Sequence, residues 1–157
     1  MAQLIATLGM ILITAALSFA SHSVQAADSI AGIWELNVAK SKSTDPLPKS
    51  QTRTYTVTGQ EEKMISKGID AQGKPTLLEF TANEDGKDYP IQSPGADMVS
   101  LTVVDASTMN YVLKKAGTVI ATGTRVISQD GKVMTLSRKG TDAAGKPSEV
   151  TLVFEKR

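Results

Sequence analysis

From Gly32 onward, apolar and polar residues alternate with a period of two. Short segments rich in Gly, Asp, Asn and Pro interrupt the alternation at nearly even intervals. A strand turns successive side chains to opposite faces, so this pattern predicts strands half buried on one side. No stretch after Gly32 carries the 3.6-residue periodicity of an amphipathic helix of ordinary length. The pattern predicts an all-β, antiparallel up-and-down meander of about eight to ten strands. Closing it into a barrel removes the exposed edges, and a sandwich is the structural alternative.

The expected strands follow the turn signals. Trp34, Leu36 and Val38 share a face in the first. Ala39 to Ser50, with Pro46 and Pro48, is expected as a loop. Strands are then predicted over Gln51–Thr58, Lys63–Ile69, Thr76–Ala82, Lys87–Gln92, Met98–Val104, Met109–Lys114, Thr118–Ser128, Val133–Gly140 and Ser148–Lys156. Gly59-Gln60-Glu61-Glu62 is read as a turn, Pro90 as the mark of an edge or bulge, and Gly123 as a bend.

One turn occurs twice. Gly68-Ile69-Asp70-Ala71-Gln72-Gly73-Lys74-Pro75 is echoed by Gly140-Thr141-Asp142-Ala143-Ala144-Gly145-Lys146-Pro147. The same displacement carries Thr52-Arg53 onto Thr124-Arg125 and Lys67 onto Lys139. A duplicated strand-turn-strand unit and a good hairpin turn used twice both account for it. Neither is a phosphate loop, because a strand and not a helix follows.

Ahead of the alternation lies an apolar run from Leu4 to Ala20, then Val24-Gln25-Ala26 before Ala27. An h-region followed by small residues predicts a signal peptide over residues 1–26, cut between Ala26 and Ala27. Residues 27–157 then form one domain. The expected location is periplasmic or secreted, with no stable membrane anchor after cleavage.

Composition narrows the chemistry. The chain has 157 residues, a formal net charge of +1, no cysteine and one histidine, His22, inside the leader. A nearly balanced charge argues against a nucleic-acid partner. Without Cys or His, the mature chain lacks the thiolate nucleophile, the usual general base and the commonest transition-metal ligand. Asp85-x-Lys87-Asp88 lacks the loop length and closing Glu of a calcium loop. No catalytic set, metal site or cofactor is therefore expected, and the chain is read as not an enzyme.

Candidate site residues come from strand phase. Arg53 and Arg125 each follow a Thr in mid-strand; they either meet a ligand anion inside or lie solvated outside. Arg53 shares its phase with Tyr55, so an outward Arg53 and an inward Tyr55 exclude each other without a bulge. Tyr55 and Tyr111 are core residues, or cavity hydroxyls if the barrel is hollow. With only 4% aromatic residues, the interior must be filled mainly by aliphatic side chains or left partly hollow.

Gly32-x-Trp34 on the first strand resembles the Gly-x-Trp signature of the calycins, the lipocalins and fatty-acid-binding proteins among them. Leu152-Val153-Phe154-Glu155-Lys156 resembles the closing strand of the fatty-acid-binding proteins, and Asp130-Gly131-Lys132 fits their pattern. A bacterial lipocalin-like domain is the nearest resemblance. It implies a barrel holding a small hydrophobic or amphipathic molecule, with Gly32 and Trp34 as a structural plug. The Arg-x-Tyr pair that grips fatty carboxylates in that family falls here on Leu152-x-Phe154, so that clamp is missing. The competing expectation is a non-enzymatic barrel with a filled interior that meets a protein through the loops Ser41–Ser50 and Ser93–Asp97. The sequence leaves the oligomeric state open.

Overall fold

The computed structural model describes residues 30–142 and 144–157. The expected leader, its cleavage point and His22 lie outside the described residues. The strands are β1 (Gly32–Leu36), β2 (Lys42–Ser43), β3 (Ser50–Thr58), β4 (Glu61–Ile69), β5 (Pro75–Asn83), β6 (Asp85–Gln92), β7 (Met98–Val103), β8 (Thr108–Lys115), β9 (Thr118–Ile127), β10 (Val133–Thr141) and β11 (Pro147–Lys156). They form one 11-stranded antiparallel sheet. From β3 to β11 each strand pairs with the next, and β1 closes the ring between β3 and β11. Trp34 faces Arg53 on one side and Lys156 on the other. The fold is a closed up-and-down barrel, not a sandwich.

The period-two pattern becomes an inner and an outer face. Trp34, Tyr55, Met64, Phe80, Leu101, Met109, Met134 and Phe154 all point inward and are almost wholly buried. Burying a Phe or Met side chain stabilises the fold by about 1.5–3 kcal/mol relative to exposure. Trp34 is 0% exposed, and its indole N–H donates to the Ile30 carbonyl at 2.7 Å. That bond satisfies the one polar atom of a side chain otherwise suited to an apolar interior. Gly32 has φ +127, and a Cβ there would stand 3.0 Å from Lys156 Cε.

Several local expectations need correction. Ala39–Ser50 is not all loop. Asn37 accepts from the Lys40 amide at 3.1 Å and caps a 3-10 turn over Val38–Lys40. The chain then resumes as β2, pairing Lys42 and Ser43 with Thr151 and Val150, because β11 extends beyond β1 and offers a free edge. Glu61 and Glu62 belong to β4, not to the preceding turn. Gly123 is no bend: β8 and β9 keep register through it, and the register shift falls at Leu113/Lys114. Pro90 lies in β6, whose ladder to β5 is only two pairs long and whose register with β7 shifts between Asp85 and Asp88. A residue without an N–H suits such a poorly paired strand.

The repeated turns are built alike. Asp70 accepts the Lys74 amide and Asp142 the Lys146 amide through their side chains, each at 2.8 Å. Gly73 and Gly145 take φ +88 and +77. An acidic side chain capping its own turn and a glycine at positive φ explain why this segment is used in both places.

Candidate ligand cavity

The inward side chains leave a cavity of about 90 Å³, walled by Tyr55, Leu78, Phe80, Leu101, Leu113 and Leu136 among others. Arg53, Arg125 and Arg138 also line it. Arg125 is 7% exposed, so the expectation of a solvated outer-face arginine fails for it. Arg53 is inward and half-buried on the same face as Tyr55, which is 3% exposed; of the two exclusive readings, the inward tyrosine is the one realised.

The two arginines have different surroundings. Arg125 makes a two-pronged hydrogen bond with Glu62: Nη1 to Oε1 at 2.8 Å and Nη2 to Oε2 at 2.7 Å. Glu62 is 0% exposed. The guanidinium also lies 5.3 Å from the Tyr55 ring centre, 3.3 Å from Met109 Sδ and 4.0 Å from Glu84. Burial alone pulls the Arg125 pKa down, but the charge and hydrogen bonds of Glu62 outweigh it and hold the pKa above its ordinary value. This cation is permanent and already has its anion.

Arg53 has none. Its guanidinium sits 4.9 Å from the Phe154 ring centre, and Nη1 donates to the Tyr55 hydroxyl at 3.4 Å. Among the described residues no carboxylate forms an ion pair with Arg53 or Arg138. Arg53 Nε is buried without a hydrogen-bond partner, as are Gln51 Oε1 and Ser66 Oγ. Gln51 is in phase with Arg53 on β3, and Ser66 lies directly opposite Arg53 on β4.

Tyr111 reaches across β9 and donates to the Ser137 carbonyl at 3.3 Å. Gly123, its cross-strand partner, makes room: a Cβ there would stand 2.3 Å from Tyr111 Cζ. Burial pushes the Tyr111 phenol above its ordinary pKa, so the hydroxyl stays neutral and donating.

A second recess of about 150 Å³ shares Arg53, Tyr111, Leu136 and Arg138 with the cavity. Its outer wall is the loop Asp45-Pro46-Leu47-Pro48. It lies where β2 follows β11 while β3 pairs with β1 instead, so no ladder joins β2 to β3. The Asp45 carboxylate accepts from the buried Ser148 hydroxyl, which ties the loop to β11. A larger depression of about 750 Å³ runs along Asn110, Thr124, Ser137, Thr151 and Lys42 and shares Tyr111 and Arg138 with the cavity and the recess. It is broad and open to solvent, whereas the smaller interior space has predominantly apolar walls and is the better site.

The structure thus brings Arg53, Tyr55, Arg125 and Tyr111 to the lining of one cavity and sets Gly32 and Trp34 on β1 beside β3 and β11. The sequence reading missed Glu62, placed in a turn, and did not single out Arg138, which is exposed yet lines the cavity. The phase Glu62-Met64-Ser66 was visible, but Met64 and Ile65 are both apolar and left the inner face ambiguous. Arg138 shares the phase of Leu136, the one signal that placed it inward. Among the described residues no group of three acidic or histidine side chains is placed to hold a metal ion.

No family model and no curated protein matches the chain. Among solved structures it is similar to EF1p2_mFAP2b bound to DFHBI, with TM-score 0.50 and 12% identity over 85% of this chain and 98% of that one. A redesigned β-barrel, mFAP1, gives TM-score 0.44 and 16% identity over 85% of this chain and 99% of that one. Lobster apocrustacyanin A1 gives TM-score 0.43 and 16% identity over 83% of this chain, which spans 62% of the lobster chain. The first likeness is one of fold: a closed antiparallel β-barrel of nearly the same extent.

Proposed function

We propose that this is an exported, non-enzymatic barrel of the calycin kind that holds a small hydrophobic or amphipathic molecule in its interior. The carrying observation is the apolar cavity that meets a recess under the Pro46–Pro48 loop, at the break in the ladder between β2 and β3. A pocket with apolar walls and a few convergent polar groups is the usual form of a small-molecule site. The similar structure EF1p2_mFAP2b is bound to DFHBI, which supports a barrel of this fold accepting a small molecule. Gly32-x-Trp34 supports the calycin reading, and the apolar leader ending at Ala26 supports export to the periplasm or medium.

A panel of environment-sensitive dyes, aromatic compounds and lipids, titrated into the purified protein, tests the reading. Saturable binding with a change in Trp34 fluorescence is the expected result. No binding across the panel would overturn it in favour of a filled barrel that meets a protein partner.

A further inference from the structure

We propose that the molecule held is a compact organic monoanion, with its charged end at Arg53 and Ser66 and its apolar body against Leu78, Phe80 and Leu113. This rests on the reading of the barrel as a small-molecule binder and adds the charge and size of what it binds.

The charge follows from polar atoms that the fold leaves unserved. Among the described residues, four buried side-chain polar atoms lack a hydrogen-bond partner, and three of them are Gln51 Oε1, Arg53 Nε and Ser66 Oγ. Folded proteins rarely leave such atoms unpaired. Here Ser66 is 2% exposed and sits between Arg53 and Leu78, both cavity-lining, in the β3–β4–β5 register. Two of the three, Arg53 Nε and Ser66 Oγ, are donors that face each other across the β3–β4 ladder, whereas Gln51 Oε1 is an acceptor and takes no part in holding an anion. Donors around an unneutralised guanidinium fit a carboxylate or phenolate oxygen.

The chain's own acids do not fill that role. Glu62 is committed to Arg125 on both oxygens, and Glu84 lies 4.0 Å from the same guanidinium. Arg138, without an ion pair, lines the recess that shares Arg53 with the cavity. Asp45 also lines that recess, but its carboxylate accepts from the Ser148 hydroxyl and, among the described residues, forms no ion pair with Arg138 or Arg53, so both cations are left for an entering anion.

The size follows from volume. The cavity of about 90 Å³ and the recess of about 150 Å³ fall well below the roughly 300–1,000 Å³ of sites for drug-sized ligands. An apolar cavity of about 150 Å³ takes up a single benzene ring, and the cavity and the recess, which share Arg53, Tyr111, Leu136 and Arg138, are together of that order. The body that fits is one ring or a short acyl chain, not a long-chain lipid.

Calorimetric titration of the full-length protein with benzoate, benzyl alcohol and palmitate tests this, Trp34 fluorescence serving as a second readout. Benzoate should bind at least tenfold more tightly than the neutral alcohol of the same size. Arg53→Met should abolish that preference, weakening benzoate at least tenfold more than benzyl alcohol. Ser66→Ala should weaken benzoate severalfold more than the alcohol, and it provides the reading if Arg53→Met does not fold. Equal affinity for benzoate and benzyl alcohol would overturn the anion assignment and leave the binding reading standing. Palmitate binding more tightly than benzoate would overturn the size assignment. Binding of none of the three, nor of any dye in the wider panel, would overturn the binding reading itself.

Discussion

β3 and β9 each carry a Thr-Arg pair, Thr52-Arg53 and Thr124-Arg125, and turn both arginines into the barrel, yet the interior treats them oppositely. Arg125 is locked to Glu62 from the far wall; Arg53 meets a phenyl face, a distant hydroxyl and no acid. The difference begins at the hairpins. β3 and β4 join through Gly59-Gln60, setting Arg53 opposite Ser66. β9 and β10 join through the longer segment from Ser128 to Lys132, setting Arg125 opposite Leu136. A faithful repeat would have put Arg125 opposite Arg138, two cations side by side. A register change of two residues keeps the phase and so keeps both arginines inside, but it changes what each one faces. The residues two before them differ as well. Gln51 keeps an unserved amide oxygen, whereas Gly123 surrenders its space to the Tyr111 ring. One half of the echo has become a closed structural pair and the other an open polar site.

The largest expected effect comes from breaking the closed half. Glu62→Gln leaves Arg125 buried without its anion and should cost about 3–5 kcal/mol in urea unfolding. Replacing the pair together, Glu62→Leu with Arg125→Met, should return most of that loss, because apolar side chains of similar volume substitute well for a buried ion pair. Arg53→Met removes a charge from the same face but should change stability by no more than about 1 kcal/mol, since it gives up one ring contact and frees the fold of an unserved donor. If Glu62→Gln and Arg53→Met cost the same, the contrast between the halves is wrong.

A smaller effect separates Gly123 from Gln51. A Cβ at Gly123 meets Tyr111 Cζ at 2.3 Å and the Ser137 carbonyl at 2.4 Å, so Gly123→Ala must displace the ring or the strand. The expected cost is about 1–3 kcal/mol, as for other overpacked sites. Gln51→Ala on the equivalent position of β3 removes an unserved amide and should be near neutral. An unchanged melting temperature in Gly123→Ala would mean that Tyr111 does not lie against that backbone.

These contrasts mark where the sequence was readable. Alternation, the Asp-Gly turns and the Gly-x-Trp strand carried the strand order and the closed meander, because each depends on neighbours a few residues away. The partner of Arg125 was not readable. Glu62 is 63 residues distant, and only the curvature of the closed sheet brings the two walls together. Period two also states which residues share a face without stating which face is inside. On β3 that face carries Arg53 and Tyr55, and hydrophobicity alone gives contradictory answers for them. Gly123 was misread because a bend and a docking place for a neighbouring ring both call for a missing side chain.

The smallest expected effect concerns Glu84, which lies against the closed pair and has no counterpart beside Arg53. Its side chain is 13% exposed and 4.0 Å from Arg125 Nη2. Burial first, and the charge of Glu62 second, raise its pKa above the ordinary 4.5, while Arg125 works in the opposite direction. A carboxyl raised in this way keeps its proton better folded than unfolded. The stability it contributes is complete below about pH 4.5 and is lost as the pH rises through the higher folded value. Glu84→Gln abolishes that dependence, so the variant should match the parent at about pH 4 and exceed it at pH 7, after solvent screening, by a few tenths of a kcal/mol. Urea midpoints at the two pH values read the difference. A variant weaker than the parent at pH 7 would show that Arg125 draws on Glu84 as a second anion, and the closed half of the echo would then be a triad instead of a pair.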